Sequence, residues 1–363
     1  MSPFLMRLDH EWKNAGTVQE RGEIDARRAG YLARIGSFEG AKTLVLELRK
    51  VFGTGRDGRV TIWIMVAEAL IYHFEKIDPI ALDRITRAQL LSRMINDHQL
   101  EAISSAWKAH IEFESSQFEQ MFGSLRIAVT RAQQDNYEAH SRISNIIFKV
   151  AVWCGREEVA KIHFRNGREY ALKIGDQAGI EALQHNRAAF RLARIRASNC
   201  LEQVGAGEFE QLRVEIETAR SLQNLTGVTA LSSYIDLCHA RLLLLQGKYV
   251  EAVEALSYVR DSGPFPAGGV SPQLLDLDIS YCLCAMDRLD EAQAFFKSSQ
   301  DADILKIDPD ERLVARWMQL QLARKSSLFG VLSTSTDLFD EAVLEYKKLM
   351  NSLQIGLDAL DSF

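Results

Sequence analysis

Proline is scarce, with 6 in 363 residues, and most of these lie outside the periodic segments. So few helix breakers suit a chain of long helices. Strict apolar–polar alternation over strand lengths is missing, which argues against a β-rich fold. Low-complexity tracts are missing too, and a composition of 47% hydrophobic and 25% charged residues is that of a folded chain rather than a disordered one. No apolar run reaches the roughly 18 residues of a membrane span. The longest, TIWIMVAEALIY, is interrupted by Glu68. The N-terminal stretch MSPFLMRLDHEWKNAG lacks the apolar core of a signal peptide, so a cytoplasmic location is expected. Positive charge is not in excess, and at a net charge of −6 there is no bulk attraction to nucleic acid or to an anionic membrane.

The elements of catalysis are equally thin. The five cysteines (Cys154, Cys200, Cys238, Cys282, Cys284) are odd in number and sit inside helical patterns, which reads as buried free thiols. Cys282 and Cys284 are two residues apart, about 200° around a helix, and cannot point at one metal ion. Cys238 and His239 diverge for the same reason. Neither HExxH, GxSxG nor GxxxxGK[ST] occurs. Gly53, Gly55 and Gly58 match G-x-G-x-x-G formally, but a helical pattern, LVLELRKVF, precedes them where a dinucleotide site needs a buried strand. The motif reads as a turn between helices. Acidic pairs such as Glu157-Glu158 and Asp290-Glu291 open helices, where they favour the positive helix end. These patterns imply a protein that is not an enzyme and has no cofactor or metal.

What is present is a recurrent helical hairpin. Residues 234–259, YIDLCHARLLLLQGKYVEAVEALSYV, predict a helix carrying Leu237, Ala240, Leu243 and Leu244, a turn at Gln246-Gly247, and a second helix from Tyr249 through Ala252, Leu256 and Val259. Small and large residues alternate as two closely packed antiparallel helices require. The small residue of the second helix serves as a ruler along the chain. It recurs as Ala41, Ala81, Met121, Ala160, Leu212, Ala252, Ala292 and Ala342, with gaps of 40, 40, 39, 52, 40, 40 and 50. The two long gaps predict insertions of helix or loop near 178–190 and 300–335. Pro79 stands at the second turn in place of Gly. FGTGRDGR (52–59), RDSGPFPAGGVSP (260–272) and SLFGVLSTSTDLF (327–339) read as connections. Asp308-Pro309 reads as a helix start.

Gly247, Tyr249, Ala252 and Leu256 resemble the turn glycine, aromatic, small and bulky positions of a tetratricopeptide repeat, as do Gly36, Phe38 and Ala41. A period of about 40 exceeds that of the standard repeat and is similar to the sensor arms of large bacterial transcriptional activators and to peptide-pheromone-binding regulators of the Rap type. The resemblance implies an all-α fold, a TPR-like α-solenoid of about eight hairpins in a right-handed superhelix. It spans residues 21–355, preceded by a lead-in or capping helix (1–20) and followed by a tail (356–363), which is long enough for a short capping helix.

In such arrays the first helix of each repeat lines a concave groove. The resemblance places Arg142, Asn145, Lys149, Arg194, Tyr234 and Arg241 on that surface, with His110 and Tyr281 flanking and Trp63 as a further contact. Arg187, Arg191 and Arg194, at i, i+4 and i+7, share one helix face, which is either a solvated stripe or a ligand-facing basic one. Trp107, Trp153 and Trp317 fall in or near first helices and read as packing. The function this implies is a protein- or peptide-binding scaffold or adaptor, whose partner is an acidic or carboxylate-terminated protein or peptide. The alternative is a regulatory protein that senses a peptide or small ligand and acts on a separate effector chain. Nucleic acid is the weakest candidate partner, and no membrane is implied. For nucleic acid the test is co-purification that is reversed by high salt.

Overall fold

The computed structural model describes residues 2–53, 57–201, 204–205, 207–226, 231–262, 271–300 and 307–360. Of the G-x-G-x-x-G match, Gly55 lies outside these, as does most of the 260–272 connection. Every regular element among the described residues is helical. The order begins α1 (Pro3–Asn14), α2 (Val18–Arg34), α3 (Phe38–Phe52), α4 (Gly58–Lys76), α5 (Ile80–Met94), α6 (His98–Glu114), α7 (Phe118–Arg131), α8 (Tyr137–Trp153) and α9 (Glu157–Ile174). It continues with α10 (Gln177–Cys200), α11 (Glu208–Thr226), α12 (Ser232–Leu245), α13 (Tyr249–Asp261), α14 (Pro272–Ala285), α15 (Leu289–Ser299), α16 (Pro309–Lys325) and α17 (Leu332–Leu360). None of these helices is long and apolar enough to cross a membrane.

Local chemistry sets the starts. Thr17 and Glu20 form a reciprocal capping box on α2, each side chain accepting from the other's backbone N–H at 3.1 Å. Asp57 and Asp97 cap α4 and α6, Ser271 caps α14, and Pro272 and Pro309 open α14 and α16 where no intrahelical N–H is needed. Seven of the turns into odd-numbered helices share one device. Positive φ occurs at Gly36, Ile77, Ser116, Gly155, Gly207, Gly247 and Asp287, each at the turn into an odd-numbered helix. At several of them the next N–H reaches back to close the helix, as from Ser37 to Leu32 O at 2.9 Å and from Lys248 to Leu243 O at 3.0 Å.

The eight ruler residues fall on α3, α5, α7, α9, α11, α13, α15 and α17, and each is at most 3% exposed. From Ala41 to Ala292 they follow the positive-φ residue by five positions, or by four after Ile77. At six of the eight an alanine lets the second helix approach its partner closely, while Met121 and Leu212 fill the position with larger buried side chains. The 327–339 stretch is not a plain connection. Ser327–Phe329 is one turn of 3-10 helix with Phe329 buried, and α17 begins at Leu332. Its polar start is compatible with a helix because Ser335 and Thr336 donate to the carbonyls of Val331 and Leu332 one turn back, at 3.2 and 2.9 Å. Residues 356–360 continue α17.

The chain divides into two compact units, and the division falls within α8, α10 and α17. The first comprises Met1–Ala151, Glu157–Leu183 and Gly356–Phe363, and the second Val152–Arg156 and Gln184–Ile355. In the first, α2 packs on α3 and α4, α4 on α5 and α6, and α6 on α7, while Phe4 and Leu8 of α1 join Ile24, Tyr31, Ile174 and Ala178 in one apolar cluster. In the second, α12 packs on α11, α13 and α14, and α14 on α13, α15 and α16, around a core that includes Leu237, Leu256, Ile279, Leu313 and Met318.

Candidate functional site

In each unit most of the polar and aromatic residues that meet at the cavities come from the even-numbered helices. On α2, Arg27, Gly30 and Arg34 recur at helical spacing and line a cavity of about 40 Å³ in the first unit. Its other walls include Tyr31, Trp63 of α4, Trp107 of α6, Arg142 of α8, Glu138 and Asp176. Two of the three arginines are neutralised. Arg27 donates to Glu138 at 2.8 Å and Glu11 at 2.9 Å, and its guanidinium lies 5.6 Å from the Trp63 ring centre. Arg34 donates to both oxygens of Asp176, at 2.9 and 2.8 Å. Asp176 in turn accepts from the Gly179 N–H at 2.9 Å, so its carboxylate is fully engaged.

Arg142 differs. It is 7% exposed, and its guanidinium sits over the Trp107 ring at 3.8 Å. Among the described residues it makes no hydrogen bond and no ion pair, and its Nε is buried without a partner. Burial, with added repulsion from Arg34 and only partial relief from Asp176, pulls its pKa down to about 9. It therefore remains charged at neutral pH.

Farther along the same helices lies a second buried set. Lys149, 1% exposed, donates to Glu114 at 2.6 Å and lies over the Phe113 ring at 3.8 Å. His73 and His110 meet edge to face at 5.2 Å, and His110 also contacts Phe74 and Trp107. Burial lowers the pKa of His73 to about 4 and that of His110 well below the usual range, so both rings are neutral at physiological pH.

The second unit answers its arginines with acids. Arg196 of α10 pairs with Asp278 of α14 at 2.9 Å and Glu311 of α16 at 2.7 Å. Arg241 of α12 pairs with the same two carboxylates at 3.0 and 2.7 Å. Burial works to raise the pKa of Glu311, yet Arg196 and Arg241 hold it down to about 2. The neighbouring Asp310, buried and repelled by Glu311 and Asp308, is raised to about 7 and has one oxygen without a partner. Beside this network a cavity of about 220 Å³ is lined by Tyr249, Tyr281, Trp317, Leu244, Met318 and Arg196, with the Tyr281 and Trp317 rings 5.4 Å apart.

The residues that the sequence pointed to thus fall into several separate settings. Trp63 and Arg142 share the cavity of the first unit, with His110 reached through Trp107, and Asn145 and Lys149 are buried farther along α8. The arginine stripe faces α11, where Arg187 and Arg191 both pair with Glu215, at 2.9 and 2.8 Å, and Arg194 pairs with Glu208 at 3.0 Å. Arg241 belongs to the acid-paired network, Tyr281 to the aromatic cavity, and Tyr234 packs edge-on against His185 at 5.8 Å. Sequence reasoning passed over Arg27, Arg34, Asp176, Tyr249, Asp278 and Glu311. For Arg27 and Arg34 the seven-residue spacing on one helix face was the available signal. The acids gave none, because their partners lie on other helices.

Among the described residues no grouping of three His, Cys, Asp or Glu side chains is placed to hold a metal ion. Burial raises the thiols of Cys154, Cys200 and Cys238 to about 12, which keeps them protonated and poorly nucleophilic. The chain matches no family model and no curated protein sequence.

Proposed function

We propose that the protein is a non-enzymatic binding protein, a TPR-like helical-repeat array that holds an acidic or carboxylate-bearing peptide or protein partner on the surface formed by its even-numbered helices. The observation that carries this reading is the convergence of α2, α4, α6 and α8 on one cavity. There an arginine without an acid partner lies among Tyr31, Trp63 and Trp107. Aromatic side chains and arginine are the residues that anchor partners at binding surfaces.

A second reading is a regulator that senses a small ligand and acts on another chain. The aromatic cavity of about 220 Å³ favours it, since that volume suits a single side chain or a small planar molecule better than an extended segment. One selection tests both. Peptides displayed as a random library are enriched on the folded chain, and the winners are measured by fluorescence anisotropy against wild type, Arg142→Met, Tyr281→Ala and Trp317→Ala. The expected result is enrichment of acidic or free-carboxylate peptides whose affinity falls at least about tenfold in one of the variants. No enrichment, or affinities that no variant changes, overturns the reading.

A further inference from the structure

The cavity of the first unit is lined by three arginines and two carboxylates, and the two carboxylates are taken by Arg27 and Arg34. One positive charge is left over, and it sits on Arg142. A buried guanidinium without an acid is unfavourable, and protein interiors answer such charges with a counter-ion or with hydrogen bonds. Among the described residues Arg142 has the face of Trp107 at 3.8 Å and partial relief from the charge of Asp176, but no hydrogen bond and no ion pair. The stack fixes the guanidinium plane and leaves its N–H edge unsatisfied among the described residues. The cavity beside it, about 40 Å³, has room for more than one water-sized group but not for a whole organic ligand.

We infer that Arg142 with Trp107 forms a receptor for one small monoanionic group, such as a carboxylate or a halide ion, that enters this cavity and balances the one charge its lining leaves unpaired. This rests on the binding function proposed above and names the chemistry of one of its contacts. A planar carboxylate suits the guanidinium edge best, since two parallel N–H···O bonds form at once. The same charge admits a free inorganic anion. Arg27 and Arg34, already paired, set the walls and keep a dianion from being required.

The test is a titration at constant ionic strength, replacing bulky sodium methanesulfonate with sodium formate or sodium chloride. Melting temperature and tryptophan fluorescence are the readouts. Wild type is expected to show a saturable rise in melting temperature and a saturable fluorescence change. Arg142→Met is expected to melt no lower than wild type without anion, because a buried uncompensated charge is gone, and to lose both responses. Arg142→Lys, which keeps the charge but not the planar edge, is expected to weaken the formate response about tenfold.

A response to chloride alone assigns a free ion. A response to formate and to an N-acetyl dipeptide acid, but not to its amide, assigns the carboxylate of an organic ligand. Either supports the site. A wild type that responds no differently from the methanesulfonate control overturns it, and so does an unchanged response in folded Arg142→Met or, where formate binds, an unchanged formate response in Arg142→Lys. Selected peptides that bind while the anion titration stays silent remove this inference and leave the binding function standing. A saturable anion response with no selectable peptide does the reverse.

Discussion

Ile77 holds φ 48° and ψ 45° at the turn where Gly36, Gly155, Gly207 and Gly247 hold positive φ elsewhere. A β-branched residue is strained in this conformation, and the side chain is 38% exposed, so little packing would be lost with it. Ile77→Gly is therefore expected to raise stability by about 1 kcal/mol, and Gly247→Ala to lower it by about 1–2 kcal/mol, read from urea midpoints at unchanged slope. The turn glycines were legible in the sequence. The equivalent roles of Ile77, Ser116 and Asp287 were not, because none is a glycine and the bonds that close these turns, such as Gln117 N–H to Glu112 O at 2.8 Å and Arg288 N–H to Leu283 O at 3.0 Å, are between backbone groups that every residue carries.

Along single helices, charge and burial do not follow the sequence pattern in a simple way. Arg187, Arg191 and Arg194 read as one basic stripe on α10, and in the fold the stripe meets Glu215 and Glu208 of α11. Helical spacing shows which residues share a face, but not what the next helix sets against it. The same helix reaches α14 and α16 through Arg196, where Asp278, 1% exposed, bridges Arg196 and Arg241. Removing one acid from a buried cluster leaves its partners uncompensated. Asp278→Ala is expected to destabilise by about 3–5 kcal/mol. Arg187→Ala, which removes a partly exposed arm of the stripe, is expected to stay within about 1 kcal/mol. Equal losses for the two, measured by chemical unfolding, would mean that the four-residue network carries no special weight.

At the scale of the whole molecule, two buried groups give stability opposite pH dependences. His73 releases its proton at about 4 when folded, against a usual 6.5, owing to burial and to nearby Lys149 and Arg142, with Glu114 opposing. Between those values the unfolded chain binds more protons, so this contribution is complete above pH 6.5 and is lost as pH falls toward 4. It amounts to at most about 3–4 kcal/mol. Asp310 is shifted the other way, from 3.8 to about 7, by burial and by Glu311 and Asp308. Its contribution is complete below pH 3.8 and is lost as pH rises through 7. In melting curves from pH 4 to pH 8, His73→Phe should reduce the loss of stability on the acid side, and Asp310→Asn should reduce the loss as pH rises from 4 to 7. Profiles superimposable on wild type would show that neither group is held as described.

Much of the architecture was decided by local chemistry that the sequence exposes directly. A period of about 40 residues, glycines at turns, capping residues at helix starts and a small residue five positions past the turn determined an all-helical chain with alternating helices, because each acts over one or two helical turns. Which arginine is left without an acid was decided only in three dimensions. Arg27, Arg34 and Arg142 are the same residue type on similar helices. What separates them is that Glu138 and Asp176 reach the first two across the fold, while Arg142 lies on the ring of Trp107 and makes no ion pair among the described residues. Charge compensation depends on distances of a few ångströms between residues more than a hundred positions apart, and such distances exist only once the helices have packed.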